Sequence, residues 1–223
     1  MKRSLVQIGC AMALAMVSLR LAVLVSAAPT VDVLVKDDRG KPVSDAVVTL
    51  VSPGAASVAT RLTPAVMDQQ YRMFVPMVLV IQAGTPVTFP NRDNIRHHVY
   101  SFSPAKRFEL PLYMGTPAAP VVFDKPGVVI LGCNIHDWML AYIFVSPTPY
   151  FAKTGTNGLA RLGDVAPGTY EARVWQPRMR EDSEKIGKPL TIAESDPERV
   201  EFVLSLKPER RIYPPPAGYG ERP

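Results

Sequence analysis

Apolar residues recur along the chain in short runs that are separated by turn residues, and several runs alternate with polar positions. Runs of this kind, ended by Gly, Pro, Asn or Asp, are typical of β-strands. We predict strands at 31–35, 46–51, 77–81, 87–89, 99–102, 121–123, 128–131, 141–145 and 200–206. The chain has no convincing stretch with the 3.6-residue apolar period of an amphipathic helix. The pattern therefore predicts an all-β fold built from β-sandwiches.

Two stretches fall outside this pattern. Residues 105–120 are predicted to form a long irregular connection with room for one short helical turn. The tail, 207–223, contains Pro214-Pro215-Pro216, and we expect it to be extended or disordered.

The first 27 residues have the features of a targeting signal. Lys2 and Arg3 precede a mostly apolar stretch, and small residues around Ala27 suit cleavage by signal peptidase. Arg20 interrupts the apolar stretch, which argues against a membrane anchor because a charge deep in the bilayer is costly. We therefore expect a signal peptide at 1–27 and a periplasmic or secreted mature protein without a stable membrane span; an uncleaved anchor is the alternative.

Cleavage would change the charge and the cysteine count. The signal holds three basic residues and no acidic ones, so 22 basic and 20 acidic residues would remain, a net charge of +2. This balance gives little support to a nucleic-acid partner, and we expect none. Cys133 would be the single remaining cysteine. It would then be a free thiol, half of an intermolecular disulfide, or a metal ligand.

A group of potential metal ligands follows the predicted strand 128–131. Cys133, His136 and Met139 have the spacing Cys-x2-His-x2-Met, in a loop between two predicted strands. A tight loop of this kind can turn all three side chains toward one point. Thiolate, imidazole and thioether together select copper over the hard cations. The chain has only three histidines, so a fourth ligand from elsewhere would come from the pair His97 and His98.

Each of these residues has an ordinary structural explanation when it is taken alone. A buried methionine usually fills a core, and a single cysteine often behaves as a small apolar residue. Their joint occurrence at this spacing favours a metal site instead. Glu109 is a weaker candidate, as a ligand of an unusual copper site. Trp138 is expected either to be core or to line a face near the site, and Trp175 to be sandwich core.

The segment 70–147 resembles a cupredoxin, the small blue-copper fold. The run Val87-Thr88-Phe89-Pro90-Asn91, followed by His97-His98-Val99, is similar to the pattern of plastocyanin and amicyanin. The ligand loop has the short, amicyanin-like spacing. The run 108–113 is further similar to proteins labelled methylamine-utilisation or plastocyanin-like. The resemblance implies a Greek-key β-sandwich.

The resemblance also implies a site and a role. It makes His97 the ligand and puts His98 where an asparagine is usual. His97, Cys133 and His136 would then form the plane of a type 1 copper site, with Met139 as a weak axial ligand. Such a site carries one electron between Cu(I) and Cu(II), and redox partner proteins would dock near His136 and Trp138. Only His98 would remain beyond these ligands, which is too few histidines for a second copper centre, so we expect no enzyme and no catalytic residues.

The ends of the mature chain resemble the two halves of a different domain. Residues 35–48 and 154–170 are similar to the early and late patterns of the prealbumin-like carboxypeptidase regulatory domain, a seven-strand sandwich. We therefore predict this second sandwich in two parts, 29–60 and 148–206, with the cupredoxin domain at 61–147 between them.

Two other functions compete with electron transfer. The first is copper binding or delivery without an electron-transfer role. Delivery proteins often carry methionine-rich tracts, whereas the methionines here are scattered, which favours the carrier. In the second, the flanking sandwich docks a carbohydrate or protein and copper is accessory.

Overall fold

The computed structural model describes residues 29–52, 62–117, 119–183, 186–193 and 198–209. All regular elements in this part of the chain are strands, so the prediction of an all-β fold is confirmed. The strands are β1 Val31–Asp37, β2 Val47–Val51, β3 Ala65–Val66, β4 Asp68–Gln70, β5 Met73–Val75, β6 Val78–Gln82, β7 Thr85–Thr88, β8 His97–Ser103, β9 Lys106–Tyr113, β10 Val121–Phe123, β11 Gly127–Gly132, β12 Leu140–Ser146, β13 Phe151–Lys153, β14 Leu159–Leu162, β15 Gly168–Trp175, β16 Lys188–Ile192 and β17 Glu198–Leu204.

Two predictions concern the ends of the sequence. The signal peptide at 1–27 lies outside the described residues, as does the tail beyond Glu209. Within the described ranges, the structure contains no helix that is long and apolar enough to cross a membrane.

Strands from the two ends of the described chain form one pair of sheets. β1 lies between β14 and β17, and β2 lies between β13 and β15, with β16 beyond β15. In the first strand, Val31, Val33 and Val35 are fully buried, while the residues between them are only partly buried. Such alternation is typical of a strand with one face on a core. Both sheets contribute to one cluster of buried residues, which includes Leu50, Ala172 and Phe202.

These seven strands confirm the predicted second sandwich as a fold. β1 and β2 precede the central strands β3–β12 in sequence, and β13–β17 follow them. The domain boundaries at 60/61 and 147/148 remain predictions.

The central part of the chain forms a second set of sheets. A five-stranded sheet has the order β6-β12-β11-β8-β9, and a three-stranded sheet has the order β10-β7-β3. β4 and β5 form a separate hairpin. A second cluster of buried residues belongs to these strands and includes Phe89, Phe123, Leu131 and Ile143.

The prediction of an irregular connection at 105–120 was wrong over most of its first half. β9 occupies Lys106–Tyr113 and pairs with β8, from Ser103↔Lys106 to His97↔Tyr113. Pro111 lies inside this strand, which proline tolerates because β9 is at the edge of the sheet. Because its residues are exposed or half-buried, β9 also lacks the apolar run by which the other strands were predicted.

Trp175 is not part of the sandwich core, contrary to our prediction. Its ring packs against Tyr142, at a centroid distance of 5.8 Å, and against Phe144, at 5.4 Å. Both partners lie on β12 of the five-stranded sheet. Lys153 of β13 forms a second link, since its Nζ donates to the carbonyl of Val78 in β6. The two sets of sheets are therefore joined by an aromatic contact and a hydrogen bond.

Candidate metal centre

The pairing of β8 with β11 brings the predicted ligands together. Gly132, the last residue of β11, pairs with Tyr100 of the antiparallel strand β8. The chain that leaves β11 therefore passes the beginning of β8, where His97 lies. Possible ligand atoms of His97, Cys133 and His136 lie within 4.8 Å of one another.

The three side chains differ in exposure. His97 is fully buried and Cys133 is 4% exposed, whereas His136 is partly exposed. The rings of His97 and His136 meet at 61°, with their centroids 5.0 Å apart. The group is thus closed on the His97 side, and its route toward solvent passes His136.

In the described part of the chain, three buried ring nitrogens have no hydrogen-bond partner. Nδ1 of His97 and Nδ1 of His136 are both buried and unpaired, and so is Nδ1 of His98. A buried polar atom without a partner costs about 1–3 kcal/mol. A metal ion held between Cys133 and the first two nitrogens would satisfy both, so the residues present fit a metal.

The Asp93 carboxylate holds the His97 ring from its other side. Nε2 of His97 lies 2.7 Å from Oδ2 of Asp93. The same carboxylate accepts the backbone N–H groups of Tyr71, at 2.7 Å, and Arg72, at 2.8 Å. These two residues form the turn between β4 and β5, both with positive φ. A carboxylate behind a metal-binding histidine fixes which nitrogen faces the metal.

The surroundings of Cys133 favour its thiolate. Burial alone would raise the pKa of the Cys133 thiol, but neighbouring groups lower it overall. These are the His97 ring, which has a ligand nitrogen within 4.8 Å of the sulfur, and the backbone N–H groups of His98, Ile135 and His136. The thiolate is the form that binds metals.

The pKa values of the two histidines move in opposite directions. Burial tends to lower the pKa of His97, but Cys133 and Asp93 together raise it. For His136, burial lowers the pKa, and the charges of His97 and Arg72 lower it further. Both effects favour the neutral form of His136, whose lone pair can bind a metal.

The other predicted residues lie around this group. Met139 is 2% exposed, and its backbone N–H donates to the His136 carbonyl at 3.0 Å, which closes the loop. Its role as a ligand stays a prediction. His98 is outside the group, with Nε2 2.8 Å from Oε1 of Glu109. Glu109 is therefore engaged with His98.

Trp138 lies next to the site. Its ring is 5.1 Å from that of His136, and its Nε1 donates to the carbonyl of Arg72 at 3.0 Å. Trp138 and Asp93 thus both tie the site to the β4–β5 turn. Asp93 was not among the predicted site residues, although it lies four residues before His97 in the polar loop 91–96.

Comparisons with known proteins find similarity to solved structures over about half of the chain. No family model matches the sequence, and no curated protein matches it either. Solved structures do match part of it. A Cu-containing nitrite reductase from Thermus scotoductus SA-01 is 27% identical, over 44% of this chain and 25% of that one, with a TM-score of 0.36. The chain thus spans a quarter of that enzyme.

Two smaller proteins match over almost their whole length. A reduced Cu(I) form of an amicyanin variant is 23% identical, over 44% of this chain and 98% of that one, with a TM-score of 0.34. A purple cupredoxin from Nitrosopumilus maritimus is 21% identical, over 52% of this chain and 98% of that one, with a TM-score of 0.31. Cupredoxins, which the sequence resembles, are thus among the similar structures.

Proposed function

We propose that this protein binds one copper ion through His97, Cys133 and His136, with Met139 as a fourth, weaker ligand, and uses it to transfer single electrons. The observation that carries this proposal is the convergence of three ligand side chains within 4.8 Å. The unpaired Nδ1 atoms of His97 and His136 add to it, because both need a partner.

The ligand types favour copper over other metals. A thiolate with two imidazoles is a soft to intermediate set, whereas carboxylate and carbonyl oxygens suit magnesium and calcium. Zinc would accept the same ligands, but in proteins it usually takes four nitrogen, sulfur or carboxylate donors rather than a thioether. Copper bound here would supply reversible one-electron chemistry between Cu(I) and Cu(II).

The chain's own contribution is to hold the ligands in place. Asp93 fixes the His97 ring, and backbone N–H groups point at the Cys133 sulfur. The Met139 backbone closes the loop onto His136. Ligands that are fixed in this way move little when the metal changes its charge, which favours fast electron transfer.

We propose that electrons enter and leave on the His136 side. His97 and Cys133 are buried, whereas His136 is partly exposed and its ring packs on Trp138. A redox partner that docks near His136 and Trp138 would therefore come close to the metal.

The supply of ligands favours a carrier over an enzyme. The chain has three histidines, two of which belong to this group. His98 is bonded to Glu109 instead. We therefore propose a protein with one metal and no catalytic residues of its own.

The proposed place of action is the periplasm or the cell exterior. The support is the sequence at 1–27, with its basic start, its apolar run and the small residues before Pro29. N-terminal sequencing of protein from the extracytoplasmic fraction should begin at Ala28; an intact Met1 in that fraction would contradict cleavage.

Voltammetry of the copper-loaded protein separates electron transfer from copper delivery. A carrier keeps its metal in both redox states, so repeated oxidation and reduction should give a stable, reversible one-electron wave with no copper lost to a chelator. A delivery protein would release copper in one redox state. Loss of the wave within a few cycles, with copper in the chelator, would contradict the carrier and leave copper binding intact.

A further inference from the structure

A cleft of about 1040 Å³ lies beside Trp138, between the ligand loop and the flanking sandwich. Most of its lining comes from residues in 37–44, 176–180 and 206–209, which belong to the flanking sandwich or follow it. Trp138, Leu140 and Tyr142 belong to the ligand loop and β12. The cleft thus exists only because the two sets of sheets lie side by side.

Hydrogen bonds of backbone N–H groups hold the walls that the flanking sandwich provides. The carboxylate of Asp37 accepts the N–H groups of Arg39, at 3.0 Å, and Lys41, at 2.8 Å. On the other wall, the N–H of Lys207 donates to the carbonyl of Arg178 at 2.7 Å. The points from which the charged side chains project are therefore fixed.

The lining is predominantly cationic. It has three acidic residues, Asp37, Asp137 and Glu209, and five basic ones, Arg39, Lys41, Arg178, Arg180 and Lys207. Asp37 is engaged with the turn, and Glu209 lies 3.8 Å from Arg178. In the described part of the chain, the side chains of Arg39, Lys41 and Lys207 form no ion pair, and all three residues are exposed. Their charges are available to a ligand.

The apolar part of the lining lies against the ligand loop. Met77, Trp138, Leu140 and Tyr142 form it. Trp138 also touches the His136 ring, at a centroid distance of 5.1 Å. A molecule seated in the cleft would therefore be separated from His136 by one indole ring.

We propose that this cleft docks an acidic segment of the protein that exchanges electrons with the site, an inference that rests on the proposed function. Glutamate or aspartate side chains would meet the exposed cations, and apolar side chains of the same segment would cover Trp138 and Leu140. A polypeptide fits better than a small anion. Small-ligand sites bring a few polar groups together inside a concave pocket, whereas these cations are exposed around the cleft. Exposed charges of this kind steer a partner and orient it.

Peptide binding tests the proposal directly. The probe is a fluorescent peptide, Glu-Glu-Leu-Glu-Tyr-Glu-Glu, and a control peptide has glutamine at every glutamate position. Binding is measured by fluorescence anisotropy with copper-loaded protein at low salt. The acidic peptide should bind about tenfold more tightly than the control peptide, because cationic side chains attract it. In the Cu(I) protein, the Trp138 indole N–H should shift in NMR spectra as the peptide binds. Equal affinity for the two peptides, or an unmoved Trp138 signal, would overturn the proposal.

Matched charge reversals separate the cleft from the overall charge. Arg39→Glu with Lys207→Glu changes one arginine and one lysine in the cleft. The control, Arg107→Glu with Lys125→Glu, makes the same changes at two exposed residues outside it. The cleft variant should weaken binding of the acidic peptide about tenfold, and the control should leave it largely unchanged. An equal loss in both variants would contradict a local site.

Two further measurements remove the remaining ambiguities. Inorganic phosphate, added as a competitor, should displace the peptide only at concentrations that act through ionic strength. Displacement by stoichiometric phosphate would identify a small-anion site and overturn the polypeptide proposal. The titration is repeated on metal-free protein, where peptide binding should persist. A protein that binds the peptide but no copper would refute the proposed function alone, whereas one that binds copper but no peptide would refute the cleft alone.

Discussion

At the scale of single residues, the Asp93 carboxylate connects the metal group with its surroundings. One oxygen faces Nε2 of His97, and the carboxylate also accepts two backbone N–H groups from the β4–β5 turn. A metal on Nδ1 of His97 would therefore have a carboxylate behind its ligand. Partners of this kind typically contribute tenfold or more to metal affinity.

Replacing this carboxylate should weaken the site without emptying it. We expect Asp93→Ala to lower copper affinity by about 10- to 100-fold, because the His97 ring loses its anchor. Competition titration with a chelator measures the affinity. Glu109→Ala is a matched control, since it also removes a carboxylate bonded to a histidine of β8. Equal losses in both variants would contradict the role of Asp93, and denaturant unfolding of the metal-free proteins accounts for any general destabilisation.

At the scale of single residues, part of the site could be predicted from the sequence. Cys133, His136 and Met139 are close in sequence, so their spacing predicts one loop. His97 followed from the resemblance to a known pattern. Asp93 escaped because an aspartate in a polar loop has many ordinary roles, and only the folded chain sets it against Nε2 of His97.

At the scale of elements, the turn before β14 is held against strand β1 of the flanking sandwich. Gly158 has a φ of +73°, and its carbonyl accepts the N–H of Val35 at 2.8 Å. A Cβ on Gly158 would lie 2.5 Å from the carbonyl oxygen of Val35. The position therefore requires glycine for both its conformation and its space.

Gly158→Ala should destabilise the protein. The new side chain would be held in a left-handed backbone conformation, and its Cβ would crowd the Val35 carbonyl oxygen. Together these effects should lower the free energy of unfolding by about 3 kcal/mol. Gly163→Ala is the control, because no atom lies within 4 Å of its Cβ position. That variant should stay within about 0.5 kcal/mol of the parent, as measured by denaturant titration. A neutral Gly158→Ala would show that the turn adapts and would contradict the argument.

Strands were predicted well where one face is buried and poorly where it is not. β1 and β12 alternate between buried and more exposed residues, and the apolar pattern identified both. β9 was missed because none of its residues is fully buried and Pro111 interrupts it. An edge strand is defined by its neighbour, here β8, and its own sequence gives little sign of that pairing.

At the scale of the whole molecule, the important contact joins the two sets of sheets. Trp175 of β15 packs on Tyr142 and Phe144 of β12. Sequence patterns do not distinguish a tryptophan inside a core from one between two cores, which is why this residue was misassigned. The same packing forms the cleft beside Trp138.

Removing the Trp175 ring should loosen this junction. We expect Trp175→Ala to lower the free energy of unfolding by about 2 kcal/mol, somewhat less than for a fully buried tryptophan. Calorimetry should also show a broader or split unfolding transition, because the two sets of sheets are coupled less strongly. Phe102→Ala, which changes an aromatic residue that is 74% exposed, should leave both quantities unchanged. A single transition at the parent temperature in Trp175→Ala would contradict this view of the junction.

The copper site itself is tested most directly by adding Cu(II) to the purified protein and recording its visible spectrum and metal content. The protein should bind one copper per chain and show an intense thiolate-to-Cu(II) charge-transfer band, which Cys133→Ser abolishes. His97→Ala should lower the copper content, while His98→Gln should leave it at one per chain. A colourless complex in the intact protein, or an intense band that survives Cys133→Ser, would rule out the proposed copper site.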